Sequence, residues 1–470
     1  MRRGSTSYIG AAVHVAIGRN PRLLTQATRL YLDHAAITPV LPEAREAIAR
    51  ALEGIGNPSS PHADGRRARA LLEEARRTIA EVLGWRHDVI FTSGGSEAIE
   101  IVARRSKLAR RIVGPTEHEA VIAAMGPDAE QLPVHPDGLI DLAALEAALG
   151  AAPALVAIQQ VNNETGVVQP LDRIAEVVRA SGGLLLADCA QGAGKLALPE
   201  ADFIALTSQK FGGSPGSGAL LVRDLATLQP SGGQERGYRR GTENLPGIAG
   251  MAAALVSRAF AKAVPELESL RHRLEQQIVA AGGTVIGAGA PRIATIGAYA
   301  MPGVASASQL VQFDLAGISI SAGSACSSGS MKASRVLEAM AVAPGIASTV
   351  VRVSFGPGTS AADIDRFAGE WRRIRAAAET APHDLPRLSG DHPGRPGGGR
   401  GDAAVGRTQV RQPALAVALG PRGCGGDRGR ARPDRARDRA RRRQPGVHRQ
   451  RDRGAQLGAQ GYGRTGLRRP

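Results

Sequence analysis

Short, almost wholly apolar runs alternate with longer amphipathic ones through the first half of the chain. Val89–Thr92, Leu155–Gln159, Leu184–Asp188, Phe203–Thr207 and Ala219–Val222 are each four or five residues long and nearly free of charge. That pattern suits strands buried on both faces of a mainly parallel sheet, where polar and apolar positions need not alternate. Between them, Pro42–Leu52, Arg66–Leu83, Leu171–Ala180 and a segment from Glu97 space apolar residues three and four apart, as helices with one packed face do. The alternation predicts a wound α/β domain with helices on both sides of its sheet. After Gly250 one long helical stretch, Met251–Ala281, leads into a mixed segment ending near Thr380, enough for a smaller α+β domain. The expected organisation is a leader (1–28), a segment packing with the small domain (29–45), a large ligand-holding domain (46–255), the small domain (256–382) and a tail (383–470).

Charge changes the picture only at the tail. Of a net +16, residues 381–470 contribute +14, from 21 Arg against 7 Asp with no Lys or Glu, which leaves the body nearly neutral. The tail is mostly Gly, Pro, Arg, Ala and Gln, cannot bury enough surface to offset its ordering entropy, and reads as disordered. Arginine without lysine or glutamate is also what GC-rich DNA encodes out of frame. A frameshift or fusion artefact, an inert tail, and an arm binding nucleic acid through runs such as Arg439–Arg443 all stand as readings; elsewhere nucleic acid is not expected. The first 28 residues carry Arg2, Arg3, Arg19 and Arg22 and no acid, superficially like a transit peptide. A mis-called start or a short leader is the preferred reading, with the cytoplasm as the expected compartment. No apolar run reaches 18 residues, so no membrane span is expected. Three cysteines (Cys189, Cys326, Cys424) without a C-x-x-C pair argue against a disulfide framework and against a cysteine-rich metal site.

The candidate chemistry gathers at the ends of the predicted strands. Asp188 closes one apolar run, and Lys210, one of only five lysines, follows the next. A carboxylate and a lysine at the carboxyl ends of parallel strands face the crevice where ligands bind. Together they suit pyridoxal phosphate, with the lysine as its covalent anchor and the aspartate on its ring nitrogen; a surface ion pair is the alternative. Phe91-Thr92-Ser93-Gly94-Gly95-Ser96-Glu97 runs from strand through two glycines into a helix start, which offers free N–H groups and a dipole to a phosphate, or simply a serine cap. His118 could stack on a ring or be structural. Asn162 and Asn163 could form a turn or aim amides at a ligand, and Gln191 lies three residues beyond Asp188. Gly232–Asn244 is a glycine-rich basic loop, fit for an acidic ligand, a subunit contact or mere solvation. Nine of the ten residues Ser321–Ser330 are Gly, Ala or Ser, so the tenth, Cys326, reads as an exposed nucleophile on a mobile loop rather than a core thiol. Arg352 alternates with apolar neighbours and could clamp a carboxylate.

In order, these segments resemble the cysteine desulfurases of the class-V aminotransferase group. The landmarks are Tyr31–Ala36, Asn57–His62, Glu117-His118, Asn162–Gly166, Asp188 with Gln191, Lys210, Arg239–Asn244, Gly323–Cys326 and Arg352. The resemblance spans about Tyr31 to Thr380. It implies a fold-type I pyridoxal-phosphate transferase: a mainly parallel, seven-stranded sheet sandwiched by helices, with a smaller α+β domain. It further implies that Lys210 carries pyridoxal 5′-phosphate and shuttles the α-proton, Asp188 holds the ring nitrogen, Gln191 bonds the phenolic oxygen and His118 stacks on the ring. Gly95, Ser96 and Thr207 would hold the phosphate, with Gln209 beside them and Thr242 reaching in from a second subunit of a homodimer. Asn163 and Arg352 would hold the carboxylate of L-cysteine. Cys326 would take its sulfur as a persulfide, release alanine and pass sulfur to an acceptor such as an iron–sulfur scaffold or a thio-cofactor pathway, transiently ligating a cluster at most; no resident metal is implied. Departures from the family pattern stand at Ile37, at Gly94–Ile99 where a Thr-Glu-Ser-Asn pattern is commoner, at Gln209 where histidine is usual, at Gly213-Ser214-Pro215-Gly216, which lacks a basic residue, and at the Arg-rich tail, which replaces the segment that often contacts a scaffold partner. An aminotransferase or lyase acting on another small amino acid, and a non-catalytic scaffold, remain alternatives.

Overall fold

The computed structural model describes residues 29–54, 56–323 and 334–380. Its largest sheet has seven strands in the spatial order Asp88–Thr92, Gly218–Val222, Phe203–Thr207, Leu184–Asp188, Leu155–Gln159, Arg111–Val113, Glu130–Gln131. Five consecutive strands, from Phe203–Thr207 to Glu130–Gln131, run parallel, and Gly218–Val222 is antiparallel to both of its neighbours. Leu155–Gln159, Phe203–Thr207 and Gly218–Val222 are buried at every position, which explains why their sequences carry no alternation. One face packs on the helices Ala63–Leu83, Leu171–Ala180 and Leu245–Ser257 through Leu72, Ile174 and Met251. The helix Gly95–Arg105 covers the other with Ile99 and Val102.

A second core lies around the antiparallel sheet Val350–Ser354, Ile296–Ala300, Thr284–Val285 and the helices Ala259–Ala280, Ser306–Leu315 and Ala361–Thr380. Its centre is aromatic: Phe313 stacks on Phe367 at 4.7 Å, and Trp371 meets Tyr299 edge-on. The N-terminal segment bridges the two sheets. Leu30–Tyr31 pairs in parallel with Ile318–Ser319, and then the Thr38 and Leu41 amides donate to the carbonyls of Gln209 and Gly212.

The structure departs from the sequence expectation in places. The single helix expected over Met251–Ala281 is two, Leu245–Ser257 and Ala259–Ala280, meeting at a bend of 52°. Arg258 sits there in the left-handed region (φ +52°), and the Ser257 hydroxyl accepts from the Ala259 amide to start the next helix. No glycine or proline marks that break. Proline does occur inside the second helix, at Pro265, without ending it. The strands Arg111–Val113 and Glu130–Gln131 are too short for a pattern to reveal. The helix expected from Glu97 begins at Gly95, with Gly94 rather than a serine as its cap. No single helix among the described residues is long and apolar enough to cross a membrane. The leader, the Cys326 segment and the Arg-rich tail lie outside the described residues.

Candidate active site at the carboxyl ends of the parallel strands

Three neighbouring parallel strands end together. Gln159 pairs with Asp188, and Asp188 with Ala205, two residues before Thr207. The residues just past these ends line a cleft of about 770 Å³. Gly95, Ser96, Thr207 and Gln209 line it toward the start of helix Gly95–Arg105; His118, Asn163, Asp188, Gln191, Lys210 and Arg352 line the rest. The expected site residues therefore converge, save two. Thr242 is exposed and does not line the cleft of its own chain, and Cys326 lies outside the described residues.

Asp188 and Lys210 are not the surface ion pair that two strand ends could have made. No salt bridge joins them among the described residues; Lys210 Nζ instead donates to the carbonyls of Ala35 (2.7 Å) and Ala36 (2.6 Å). Burial lowers the Lys210 ammonium to about 8, helped by the Arg352 charge and opposed by Asp188 and Asp33. Burial likewise raises the Asp188 pKa, against the Ala190 amide that donates to its Oδ1 at 2.9 Å and the nearby His118 and Lys210. Each group is pushed toward its neutral form, a state that favours a nucleophilic amine.

At the other end of the cleft, the Thr207 hydroxyl donates to Gln209 Oε1 (2.6 Å), which fixes the amide and leaves its NH2 to donate. Gly95 packs against Thr207, the Ser93 amide donates to Glu97 Oε2, and the start of the helix Gly95–Arg105 faces the cleft beside them. His118 caps the helix Glu119–Met125, its Nδ1 accepting from the Ala120 amide at 3.2 Å, so it has a structural duty while lining the cleft. The adjacent asparagines divide the two readings between them. Asn162 is the turn former, its Oδ1 accepting from Glu164 N and Thr165 N, while Asn163 lines the cleft. Arg352, buried in the strand Val350–Ser354, donates to Asp33 Oδ1 (2.8 Å) and to the Asn163 carbonyl (3.0 Å). Its Nε has no partner.

The basic loop spends its arginines on holding itself in place. Arg239 pairs with Glu97 at 3.0 Å, and Arg240 donates to the Ser231 carbonyl. The loop is rooted by buried Glu235, which takes a two-pronged bond from Arg76 (2.8 and 2.9 Å) and the Phe91 amide (2.7 Å). Its expected cationic face toward a ligand is thus not found within one chain.

Glu117, Glu164, Ser334 and Arg335 also line the cleft; the first two stand inside the family landmarks, but the sequence assigned a role to none of the four. Glu117 is buried, with Oε1 accepting from Gln159 N (2.7 Å) and Oε2 unpartnered; burial and the neighbouring Asp188 push its pKa well up. Arg335 donates to the Glu117 carbonyl at 2.8 Å. Beyond those landmarks, their sequence signal was proximity to His118, Asn163 and the small-residue stretch.

Pyridoxal phosphate fits this donor set. Gln191 Oε1 is buried without a partner and only one N–H of its NH2 goes to the Ala35 carbonyl, so a group bound beside Asp188 would meet an amide with both an acceptor and a donor to give. An amine, a carboxylate and an anion-binding helix start stand in one cleft.

Comparisons with known proteins agree with this geometry. The aminotransferase class-V family matches residues 30–367. A cysteine desulfurase of Cereibacter sphaeroides is 39% identical over 364 residues, covering 72% of this chain and 94% of its own. An IscS-like cysteine desulfurase of Mycobacterium tuberculosis is 36% identical over 389 residues, covering 75% and 98%. Among solved structures, a NifS-like protein from Rickettsia africae aligns with a TM-score of 0.68 at 28% identity, over 74% of this chain and 99% of its own. DndA from Streptomyces lividans aligns at 0.58 and 30% identity, over 70% and 100%. The chain belongs to the class-V aminotransferase family, on its cysteine desulfurase branch.

Proposed function

We propose that the chain is a pyridoxal-phosphate-dependent cysteine desulfurase that takes sulfur from L-cysteine as a persulfide on Cys326 and releases L-alanine. The observation that carries this reading is the meeting of half-buried Asp188 and Lys210 with buried Arg352 in one cleft, in a chain of this family. When bound, pyridoxal phosphate supplies an electron sink that weakens bonds to the substrate's α- and β-carbons.

The chain's own residues do the rest. Asp188 holds the ring nitrogen, Gln191 and His118 hold and cover the ring, and the Gly95–Ser96 helix start with Thr207 and Gln209 takes the phosphate. Lys210, near neutrality by virtue of its burial, anchors the cofactor and then moves the substrate's α-proton. Arg352, oriented by Asp33, takes the substrate carboxylate with Asn163 beside it. The Cys326 thiolate attacks the substrate sulfur: an S–S bond forms, the C–S bond breaks, and its electron pair stays on the carbon that is protonated to alanine. In this reading the part around the seven-stranded sheet holds the cofactor, and the part around Val350–Ser354 supplies Arg352 and the thiol. The enzyme works as a cytoplasmic homodimer, with Thr242 of one subunit at the phosphate of the other, and hands sulfur to an iron–sulfur scaffold or a thio-cofactor pathway.

The test is release of sulfide and alanine from L-cysteine with a reductant, beside Cys326→Ala. Equal yields from the wild type, lost in a variant that still binds cofactor, are expected. Cofactor binding without either product would point to another amino-acid substrate, and no cofactor binding would favour a scaffold.

A further inference from the structure

We propose that Asp33 is a positioning residue: the short turn it opens holds Arg352 at its start and Lys210 at its end, and so sets the spacing between the two groups that handle the substrate. At the start, Asp33 Oδ1 accepts from Arg352 Nη2 at 2.8 Å. Further along, the carbonyls of Ala35 and Ala36 accept from Lys210 Nζ at 2.7 and 2.6 Å. Arg352 lies in the three-stranded sheet and Lys210 just past a strand of the seven-stranded one, and this turn touches both. An amino acid carries its carboxylate and its α-hydrogen on one carbon. The group that grips the first and the amine that takes the second therefore need a fixed separation, and an error of about 1 Å can cost about a hundredfold in rate.

The turn is held in shape from within. The Asp33 carbonyl accepts from the amides of Ala36 (3.1 Å) and Ile37 (3.3 Å), and the Tyr31 hydroxyl reaches the carbonyls of Ile37 (2.8 Å) and Asp33 (3.2 Å) across its base. It is also tied down on both sides. Toward Arg352, the Ala35 amide donates to Ser354 Oγ at 2.9 Å, and the Ser354 amide donates to the Leu32 carbonyl at 2.8 Å, on the strand that carries Arg352. Toward Lys210, the Thr38 amide donates to the Gln209 carbonyl at 2.8 Å, and Gln191 Nε2 donates to the Ala35 carbonyl at 2.8 Å. Two acceptors on one amine orient it as well. With two N–H bonds directed at Ala35 and Ala36, the lone pair of the neutral amine points away from the turn.

The inference rests on the proposed roles of Lys210 and Arg352, and the experiment separates the two. The cofactor-loaded full chain is assayed in D2O for exchange of the α-hydrogen of L-alanine, followed by NMR, a reaction that needs both groups and no thiol. Asp33→Ala is expected to lower the exchange kcat about 10–100-fold, as a misplaced reacting group does, with the bound-cofactor absorbance unchanged. Asp33→Asn, which keeps an oxygen for Arg352, recovers most of the exchange. Tyr31→Phe removes only the hydroxyl across the base of the turn and lowers exchange about fivefold, the worth of one hydrogen bond. In that variant each half still works alone: inhibition by propionate, which reads Arg352, and the rate of cofactor attachment to the apo-protein, which reads Lys210, stay within about twofold of wild type. Wild-type exchange in Asp33→Ala overturns the inference. So does a Tyr31→Phe variant whose propionate affinity and attachment rate fall as far as its exchange, because the turn would then only support the fold. Where Asp33→Ala loses its cofactor, Tyr31→Phe decides, and wild-type exchange there overturns it. A wild type that holds cofactor yet exchanges nothing brings down the proposed roles and this inference together, whereas an exchanging wild type beside an unaffected Asp33→Ala brings down the inference alone.

Discussion

In the proposed reading Lys210 acts as a nucleophile near neutral pH, and its surroundings favour its neutral form. A cleft wall removes water from the ammonium and Arg352 adds a like charge, while Asp188 and Asp33 pull the other way; the balance leaves it at about 8. The free amine is the form that attacks the cofactor's aldehyde, so in the apo-protein the attachment rate should climb as pH rises through about 8 and then level off. An exposed lysine would still be gaining at pH 10. Stopped-flow absorbance on mixing with pyridoxal phosphate measures this, and a profile still rising well past 9 would show that the cleft does not tune the amine. Arg352→Lys tests the cause: a less extended charge that cannot hold Asp33 by the same geometry should move the midpoint. At this scale the sequence was informative where a residue type is scarce or chemically odd. Lys210 and Asp188 stood out as polar ends of apolar runs, Arg352 as the charge in a strand. Glu164 and Arg335 did not, because a carboxylate in a turn and an arginine at a helix start are commonplace until the fold shows what surrounds them.

Among the elements, the loop from Gly232 to Asn244 departs most from what its composition suggests. It looks like solvated basic chain, yet Glu235 and Arg236 both occupy the left-handed region (φ +48° and +57°), which costs free energy for residues with side chains. What offsets that cost is the buried fork between Glu235 and Arg76, 1% and 8% exposed in their side chains, together with the Phe91 amide. Glu235→Ala would leave the Arg76 guanidinium, over the Phe91 ring, with only Glu73 and the Val89 carbonyl, and the loop tied to strand Asp88–Thr92 by the Arg236–Asp88 pair. The expected loss is about 3–5 kcal/mol, as for one partner removed from a buried pair. Arg76→Met with Glu235→Leu together should cost much less than the single change, a difference that urea unfolding followed by far-UV circular dichroism would detect. Equal losses in the single and double variants would refute the pairing. The strands told the opposite story. Leu155–Gln159, Leu184–Asp188 and Phe203–Thr207 have the same bounds in sequence and structure, because a central parallel strand must be apolar throughout and its first polar residue marks its end. The bend at Arg258 left no such mark: any residue can be driven into the left-handed region when the helices on either side bury enough surface.

Across the whole molecule, the end of the cleft proposed for the phosphate draws on few donors from one chain. The lining there offers backbone N–H groups, the Ser96 hydroxyl and the Gln209 NH2, the Thr207 O–H being given to Gln209 Oε1, and Arg239 of the basic loop is taken by Glu97. A doubly charged phosphate is better held with more donors, and Thr242 stands exposed on the same loop without facing its own cleft. If Thr242 completes the cleft of a second copy, Thr242→Ala should weaken cofactor binding by about tenfold or more, the worth of one hydrogen bond to a charged group. That result alone would not tell which cleft it serves. Pairing two crippled chains does. Each cleft would draw Lys210 from one subunit and Thr242 from the other. In a heterodimer of Lys210→Ala with Thr242→Ala, purified by two different tags, one cleft lacks both residues and its partner lacks neither. At a cofactor concentration too low to fill Thr242→Ala homodimers, the heterodimer should regain wild-type binding at one cleft in two, and with it about half the wild-type turnover. If Thr242 serves its own chain, neither cleft is whole and the heterodimer stays as empty as its parents. The outcome therefore reads whether the active site is the property of a chain or of a pair.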